Sequence, residues 1–354
     1  MLNNSPVTLA RAIVLHAHGA VDAPGVLEPA DLDVPAPSPG RVRVRVRAVA
    51  LNHLDVWVRR GLPNLKLSYP HRLGSDVVGE VESVGAGVSH VAPGQRVVVA
   101  PGVSCGVCER CQQGDDNLCA RYGILGESMN GGYIELLNVP AVNALPYPGA
   151  MPFEEAAAIP LTFLTAWQMV VERARVRPGE TVLVQGAGSG VGVAAIQIAR
   201  LFGARVWATA GTDAKCARAV ELGAERAFNY ATADFVAEVK RLTDKRGVDV
   251  VIEHVGGDTF TKSVLAVGRG GRVVTCGATS GFKPDLDLRQ VFFRNVQVLG
   301  STMGRRASLF DILRHVERGA LKPVVDRVLP LAEAREAHRV LESRGAFGKV
   351  VLVV

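Results

Sequence analysis

The hydrophobic pattern divides the chain into a region of short strands and a region in which strands and helices alternate. Up to about residue 155, short apolar runs are separated by glycine and proline, as in 41–50, 76–84 and 95–100. Runs of this length, bounded by turn residues, predict an irregular β-rich region. In 41–50 arginine alternates with valine, so the two residue types are predicted to lie on opposite faces of one strand.

The pattern changes near residue 152, where helix-length segments begin to alternate with continuous apolar runs. Helices are predicted at 154–159 and 161–173. After them, the predicted strands are 181–185, 205–210, 226–230, 249–255, 272–277 and 293–301, and the helices between them are 190–202, 213–222, 232–243 and 257–267. Repeated strand–helix units with short links predict an α/β fold, a doubly wound parallel sheet covered on both faces.

The tail of the chain returns to a mixed pattern, with predicted helices at 306–318 and 331–343 and a strand at 349–354. We expect this tail to pack on the β-rich region. The predicted domains are therefore a discontinuous one, 1–155 with 303–354, and a continuous one, 156–302. A length of 354 residues suits two domains better than one core.

Composition and charge exclude several classes of protein. Apolar residues make up 48% and charged residues 21%, which is usual for a globular chain. The net charge of +6 comes from dispersed lysine and arginine without an aromatic-rich basic stripe, so we expect no nucleic-acid partner. No apolar run reaches membrane-spanning length and the first residues do not resemble a leader peptide. We expect a cytoplasmic protein with no membrane partner.

A glycine-rich turn follows the first strand of the alternating region and opens a helix. It reads Gly186-Ala-Gly-Ser-Gly-Val-Gly192. Glycines let the backbone approach a pyrophosphate, and a helix N-terminus offers unpaired N–H groups and partial positive charge. The spacing is not a strict G-x-G-x-x-G, and a turn that binds no nucleotide is the alternative. The predicted phosphate-binding residues are Gly188, Ser189, Gly190, Val191 and Gly192.

The end of the second strand in this region bears on the choice between NADH and NADPH. NAD sites usually place a carboxylate about 20 residues after the glycines to hold the ribose 2′-hydroxyl. Here the strand ends in Ala210-Gly211-Thr212, and Lys215 follows in the first helical turn. An uncharged tip with a nearby lysine suits a 2′-phosphate, although a lone lysine is also an ordinary solvated residue.

Four cysteines lie in a polar, glycine-containing loop at about 102–122. Cys105, Cys108, Cys111 and Cys119 read C-x2-C-x2-C-x7-C. Four thiolates can close a tetrahedral zinc shell with no open position, so we predict a structural Zn²⁺. Free thiols and an iron–sulfur cluster are the alternatives.

These motifs together resemble the medium-chain dehydrogenase/reductase superfamily, which includes zinc alcohol dehydrogenases and quinone oxidoreductases. The resemblance covers nearly the whole chain, including segments 50–55, 74–81, 93–97 and 348–352. It implies a GroES-like catalytic domain, a Rossmann dinucleotide-binding domain and hydride transfer with a nicotinamide cofactor. It also implies a homodimer or a dimer of dimers, paired through the edge strand near 292–302.

The chain departs from the alcohol dehydrogenase pattern at the catalytic zinc. The resemblance places the first ligand at Asn52 and the histidine ligand at Ser75, and it places the third in 160–165, which contains no cysteine. Three absent ligands cannot make a Lewis-acid site. The pattern therefore resembles the zinc-free quinone oxidoreductase branch, although the four-cysteine loop is more typical of the alcohol dehydrogenases.

The zinc-free branch also guides the assignment of site residues. Its matching asparagine lines the nicotinamide site, and its lysine and tyrosine that match Lys215 and Tyr230 bind NADPH, so NADP(H) is favoured over NAD(H). Asn52 and Ser75 are candidate donors to the developing oxyanion. His53 could supply a proton, since histidine titrates near neutral pH, or could contact the cofactor instead. Further predicted cofactor contacts are Thr165, Gly211, Thr212, Gly277, Ala278, Ser301 and Met303.

We therefore predict an NADPH-dependent oxidoreductase that reduces a quinone, enone or aldehyde. Two alternatives remain open. A zinc-dependent alcohol dehydrogenase with atypical ligands, drawn from His53, Asp55 and Asp76, would bind two zinc ions per chain. A non-enzymatic NADPH-binding protein, crystallin-like or RNA-binding, would hold the cofactor without turnover.

Overall fold

The computed structural model describes residues 7–147, 149 and 151–354. The prediction that no leader peptide is present depends on residues 1–6, which lie outside the described residues. The chain divides into two compact units. The first unit comprises Met1–Leu161, Arg305–Glu317 and Pro323–Val354, and the second comprises Thr162–Gly304 and Arg318–Lys322.

The N-terminal part of the first unit is rich in short strands, as its apolar runs predict. Its strands are β1 Val7–Val14, β2 Glu28–Pro35, β3 Arg41–Ala50, β4 Asp76–Val84, β5 Arg96–Val99, β6 Gly102–Val103, β7 Gly123–Ile124, β8 Leu136–Pro140 and β9 Ala144–Pro146. Its helices are α1 His53–Arg60, α2 Glu109–Gln112 and α3 Phe153–Ala157.

The second unit alternates strands with helices. It begins within α4 Pro160–Trp167, which continues as a π-helical segment, Gln168–Arg173, where one helix over 161–173 was predicted. Its strands are β10 Thr181–Val184, β11 Arg205–Ala210, β12 Arg226–Asn229, β13 Val248–Glu253, β14 Val267–Thr275 and β15 Gln297–Gly300. Its other helices are α5 Gly190–Leu201, α6 Asp213–Glu221, α7 Phe235–Leu242, α8 Gly257–Ala266 and α9 Arg289–Phe292.

The C-terminal tail completes the first unit. It contains α10 Arg306–Glu317, β16 Val325–Pro330, α11 Ala334–Glu342 and β17 Lys349–Val353. The prediction missed β16 because most of its residues are partly or fully exposed and its pattern is weakly apolar. No helix among the described residues is both long and apolar enough to cross a membrane.

The main sheet of the first unit has the strand order β16-β17-β3-β4-β5-β9, and β8 also pairs with β3. Val351 of β17 lies opposite Ala50 of β3, and Ala50 lies opposite Asp76 of β4 in the antiparallel register. Residues at or just beyond these three strand ends are thereby brought together. Valine and leucine side chains on these strands form the surrounding hydrophobic core.

The sheet of the second unit is parallel, with the order β12-β11-β10-β13-β14-β15. The chain order reverses between β10 and β13. In open α/β sheets, ligands bind at the carboxyl ends of the strands beside such a reversal. The predicted α/β fold class, a doubly wound parallel sheet with a separate β-rich region, is confirmed.

A buried polar network joins α1 to α11 in the first unit. The side chains of Arg59, Tyr133 and His338 are fully buried. Arg59 Nε donates to His338 Nδ1 at 3.3 Å, and His338 Nε2 lies 3.1 Å from the Tyr133 hydroxyl. Because a guanidinium only donates, Nδ1 accepts and Nε2 carries the proton. Burial, with a smaller effect of the Arg59 charge, lowers the pKa of His338 to about 3.

We expect H338Q to have a weaker dependence of stability on pH than the wild type. A histidine in the unfolded chain has a pKa of about 6.5. The unfolded state therefore binds more protons than the folded state below that value. The contribution of neutral His338 to the free energy of unfolding is fully present above about pH 6.5. It is lost as the pH falls towards 3, by up to about 1.4 kcal/mol per pH unit.

Glutamine keeps one donor and one acceptor at position 338 but does not titrate. Urea unfolding at pH 7 and pH 5 measures the difference. The exposed residue His16 provides the matched control, H16Q. If H338Q loses as much stability as the wild type between these pH values, the explanation is wrong.

Candidate functional site

The glycine-rich turn lies between β10 and α5 in the second unit. Ser189 is the N-cap of α5, and its hydroxyl accepts the N–H of Gly192 at 2.9 Å. Gly192 approaches the backbone so closely that an added Cβ would lie 2.4 Å from the carbonyl oxygen of Gly186. The turn and the first turn of the helix thus contain the predicted phosphate-binding residues Gly188, Ser189, Gly190, Val191 and Gly192.

His254, just after β13, contacts this turn. Its Nε2 lies 3.1 Å from the Ser189 hydroxyl, and burial lowers its pKa to about 4, so the imidazole is neutral at pH 7. Since the Ser189 oxygen already accepts from Gly192, the hydroxyl can donate to an unprotonated Nε2. His254 was not predicted from the sequence. The available signal was its place at the carboxyl end of a predicted strand.

The tip of β11 brings four of the predicted cofactor-binding residues together. The hydroxyl of Thr212 accepts the N–H of Lys215 at 3.2 Å and caps α6. The hydroxyl of Tyr230 lies over Gly211, where an added Cβ would come within 2.7 Å of it. Gly211, Thr212, Lys215 and Tyr230 therefore lie close together at the carboxyl edge of the sheet.

The other predicted cofactor residues of the second unit lie after β14 and β15 and in α4. The N–H of Ser301 donates to the carbonyl of Thr275, but the Ser301 hydroxyl is buried with no hydrogen-bond partner among the described residues. Met303 is buried with a left-handed φ of 47°. A buried hydroxyl without a partner fits a site that awaits a polar ligand. Gly277 and Ala278 are half-buried after β14, and Thr165 is buried in α4.

A buried polar cluster lies at the joined ends of β17, β3 and β4 in the first unit. Lys349 Nζ donates to Asn52 Oδ1 at 2.5 Å and to Asp76 Oδ2 at 2.8 Å. Asn52 Nδ2 also donates to Asp76 Oδ2, at 2.9 Å, and the N–H of Leu161 donates to Asp76 Oδ1 at 2.6 Å. Asn52 is 7% exposed, and Asp76 and Lys349 are buried. We refer to Asn52, Asp76 and Lys349 as the lysine cluster.

Asp55 ties together the two segments that carry the predicted catalytic residues. Its Oδ2 accepts the N–H of Asn52 at 2.7 Å, and its Oδ1 accepts the N–H of Gly74 at 2.8 Å. Burial raises the pKa of Asp55 to about 6. Ser75 follows Gly74 and is fully buried, and its hydroxyl has no hydrogen-bond partner among the described residues. His53 begins α1, and its ring lies 6.4 Å from that of Trp57.

The four cysteines of the loop approach one another as a metal shell requires. Their sulfur atoms all lie within 4.8 Å of one another, with Cys108 and Cys111 at 3.5 Å. A tetrahedral zinc with bonds of about 2.3 Å implies sulfur separations of roughly 3.7 Å. N–H groups of the loop, that of Val107 foremost, lower the pKa of Cys105 and favour its thiolate. The arrangement can hold one metal ion.

A metal site needs at least three histidine, cysteine or carboxylate side chains close together. Within the described residues, the four cysteines are the one group that meets this condition. The alternative ligand group of His53, Asp55 and Asp76 does not form such a group. Both carboxylate oxygens of Asp55 already accept backbone N–H groups, and Asp76 binds an ammonium group.

Both units are similar to known proteins. Residues 38–149 match the alcohol dehydrogenase GroES-like domain, and residues 190–318 match the zinc-binding dehydrogenases. A quinone oxidoreductase of Rattus norvegicus is 31% identical over 98% of each chain. An NAD-dependent alcohol dehydrogenase of Saccharolobus solfataricus is 31% identical over 91% of this chain and 95% of that protein. A crystal structure of an NAD-dependent alcohol dehydrogenase is 56% identical, with a TM-score of 0.94, covering 97% of this chain and 99% of that one.

We expect G192A to displace the glycine-rich turn. Alanine normally favours a helix over glycine by about 1 kcal/mol, but here its Cβ would lie 2.4 Å from a backbone oxygen that cannot move alone. Dinucleotide affinity, measured by tryptophan fluorescence or calorimetry, should fall at least about tenfold. The control is G345A in an exposed loop, where the nearest atom is 3.3 Å away. Unchanged affinity in G192A would contradict this assignment.

Proposed function

Because the chain belongs to the medium-chain dehydrogenase/reductase superfamily, we propose that it is an NADPH-dependent oxidoreductase that reduces a quinone, enone or aldehyde without a catalytic metal ion. The superfamily implies an oxidoreductase. The lysine cluster supports a mechanism without a catalytic metal ion. Asn52 and Ser75 stand at two positions where the alcohol dehydrogenase pattern has zinc ligands. They carry an amide and a hydroxyl, neither of which is a usual zinc ligand. The amide oxygen of Asn52 is already bound to the Lys349 ammonium.

The reduction of a carbonyl or enone leaves negative charge on an oxygen. When bound, the nicotinamide supplies the hydride, and the chain must supply hydrogen-bond donors for that charge. Asn52 Nδ2 carries two hydrogens. One points to Asp76, and the other has only the Ala50 carbonyl at 3.5 Å, beyond a normal hydrogen-bond length. We assign this second N–H as the donor to the substrate oxygen, with the fully buried Ser75 as the weaker candidate.

The second unit supports NADP(H) as the cofactor. The tip of β11 carries no carboxylate, and Asp213, the first acidic residue after it, accepts a hydrogen bond from Asn229 at 2.8 Å. Lys215 and the 55% exposed Tyr230 lie at this tip and can contact a 2′-phosphate. Two similar proteins are named as NAD-dependent, so NAD(H) is the alternative cofactor.

We expect the purified protein to oxidise NADPH in the presence of a quinone, an enone or an aldehyde, measured as loss of NADPH absorbance with NADH tested in parallel. Elemental analysis should find one zinc per chain, held by the four cysteines. Two zinc ions per chain, with activity lost when the more weakly bound one is removed, would favour the atypical alcohol dehydrogenase. Tight NADPH binding without turnover across the whole panel would favour the non-enzymatic binding protein.

We expect K215Q to lose the preference for NADPH. Removing the ammonium near the tip of β11 should raise the KM for NADPH about tenfold and leave the KM for NADH unchanged, because only NADPH carries the 2′-phosphate. The control is K262Q, since Lys262 is exposed in α8. Equal changes for both cofactors would show that Lys215 does not bind the 2′-phosphate.

We propose that two chains pair through β15. This strand is at the edge of the parallel sheet, and it and the segment before it expose the large apolar side chains of Val298, Phe292 and Phe293. Pairing would satisfy the open edge and cover these side chains. Sedimentation should therefore show a dimer, and V298K should shift it towards monomer. A strictly monomeric wild type would contradict the proposal.

A further inference from the structure

Lys349 is the least expected member of the cluster, because it brings a charged group into the interior of the first unit. Only 5% of its side chain is exposed. Its ammonium contacts two oxygens, one on Asn52 and one on Asp76. Burying an ammonium costs several kcal/mol unless it is paired and hydrogen-bonded. Asp76, whose side chain is fully buried, provides the opposite charge.

The register of the sheet explains why these residues meet. Val351 pairs with Ala50 in antiparallel fashion, so Lys349, two residues before Val351, faces Asn52, two residues after Ala50. The pairing of Ala50 with Asp76 places the first residue of β4 beside them. The N–H of Leu51 donates to the carbonyl of Val350 at 2.9 Å and continues the ladder between them. Backbone pairing, and not a flexible loop, therefore holds the cluster.

The two charged groups allow only one orientation of the Asn52 carboxamide. An ammonium can only donate and an ionised carboxylate can only accept. Oδ1 must therefore face Lys349, and Nδ2 must face Asp76. A flipped amide would place N–H groups against the ammonium and an oxygen against the carboxylate. The remaining Nδ2 hydrogen is consequently fixed in direction.

We propose that Lys349 is the positioning residue of the reaction, which orients the Asn52 carboxamide and strengthens its free N–H as a donor to the substrate oxygen. This inference rests on the proposed function. An ammonium bound at Oδ1 draws electron density from the amide, and hydrogen bonds in such a chain reinforce one another at low local dielectric. Asp76 neutralises the charge and occupies the other N–H, so one polarised donor is left.

The test is a double-mutant cycle between Lys349 and Asn52. K349M removes the ammonium but keeps an unbranched side chain, and N52L removes the amide donor. In the wild-type background, K349M should lower kcat about 100-fold, the usual loss on removing one oxyanion donor, without changing the Kd for NADPH. In the N52L background, K349M should change kcat less than about threefold, because no donor remains to be oriented.

Several controls separate this role from a purely structural one. K349R keeps the charge and should recover most of the lost kcat. K240M alters an exposed lysine of α7 and should leave kcat unchanged. A structural role would instead give the same fractional loss in both backgrounds, and that result would overturn the inference. So would a K349M enzyme with wild-type kcat.

Folding could fail when Lys349 is replaced, because Asp76 would be left unpaired. K349Q is therefore included, since it keeps donor and acceptor groups but lacks the charge, and the same 100-fold loss is expected. If neither neutral variant folds, Lys349 serves the fold and the inference is wrong. A wild type that turns over none of the carbonyl compounds would instead count against the proposed function itself.

Discussion

The ion pair between Lys349 and Asp76 is the interaction on which the polar end of the first unit's sheet depends. Each group is buried and each would be strongly unfavourable alone. Their 2.8 Å contact, together with the hydrogen bonds from Asn52 and Leu161 to Asp76, satisfies both charges. The pair thus explains how an ammonium group can be buried beside Asn52 at this end of the sheet.

The candidate sites of the two units are built from different parts of the chain. In the first unit, side chains from three neighbouring strand ends meet in a buried, hydrogen-bonded cluster. In the second unit, the backbone provides most of the candidate site, through a turn in which a Cβ at Gly192 would clash with the carbonyl of Gly186 and in which Ser189 caps a helix. A side-chain cluster tolerates few substitutions at its members, whereas a backbone site is sensitive chiefly to added bulk.

Hydrophobic periodicity predicted most of the secondary structure of the second unit. Strand β11 begins and ends where it was predicted, because buried parallel strands are continuous apolar runs. The strand predicted at 272–277 is β14, which begins at Val267, since the glycines at its start gave no strand signal. Strand β16 was missed because it alternates weakly and lies at a sheet edge. The family resemblance followed from motifs, whose residues lie close together along the chain.

The polar networks could not be predicted in the same way. Lys349 appeared only as part of a closing strand motif, and nothing local indicates that it meets Asn52. The network of Arg59, Tyr133 and His338 was missed for the same reason. Such contacts depend on strand register and on which helix faces which strand. A single sequence contains little information on either.

The pairing of β17 with β3 has a consequence for how the molecule is made. Lys349 and Asn52 are 297 residues apart, and the larger segment of the second unit, 162–304, is synthesised between them. The strands of the parallel sheet are close in sequence and can assemble as soon as they leave the ribosome. The first unit must wait for a very long loop to close, which is slow. Until then residues 48–50 of β3 lack their partner strand β17, and an unpaired strand edge is prone to pair with another chain.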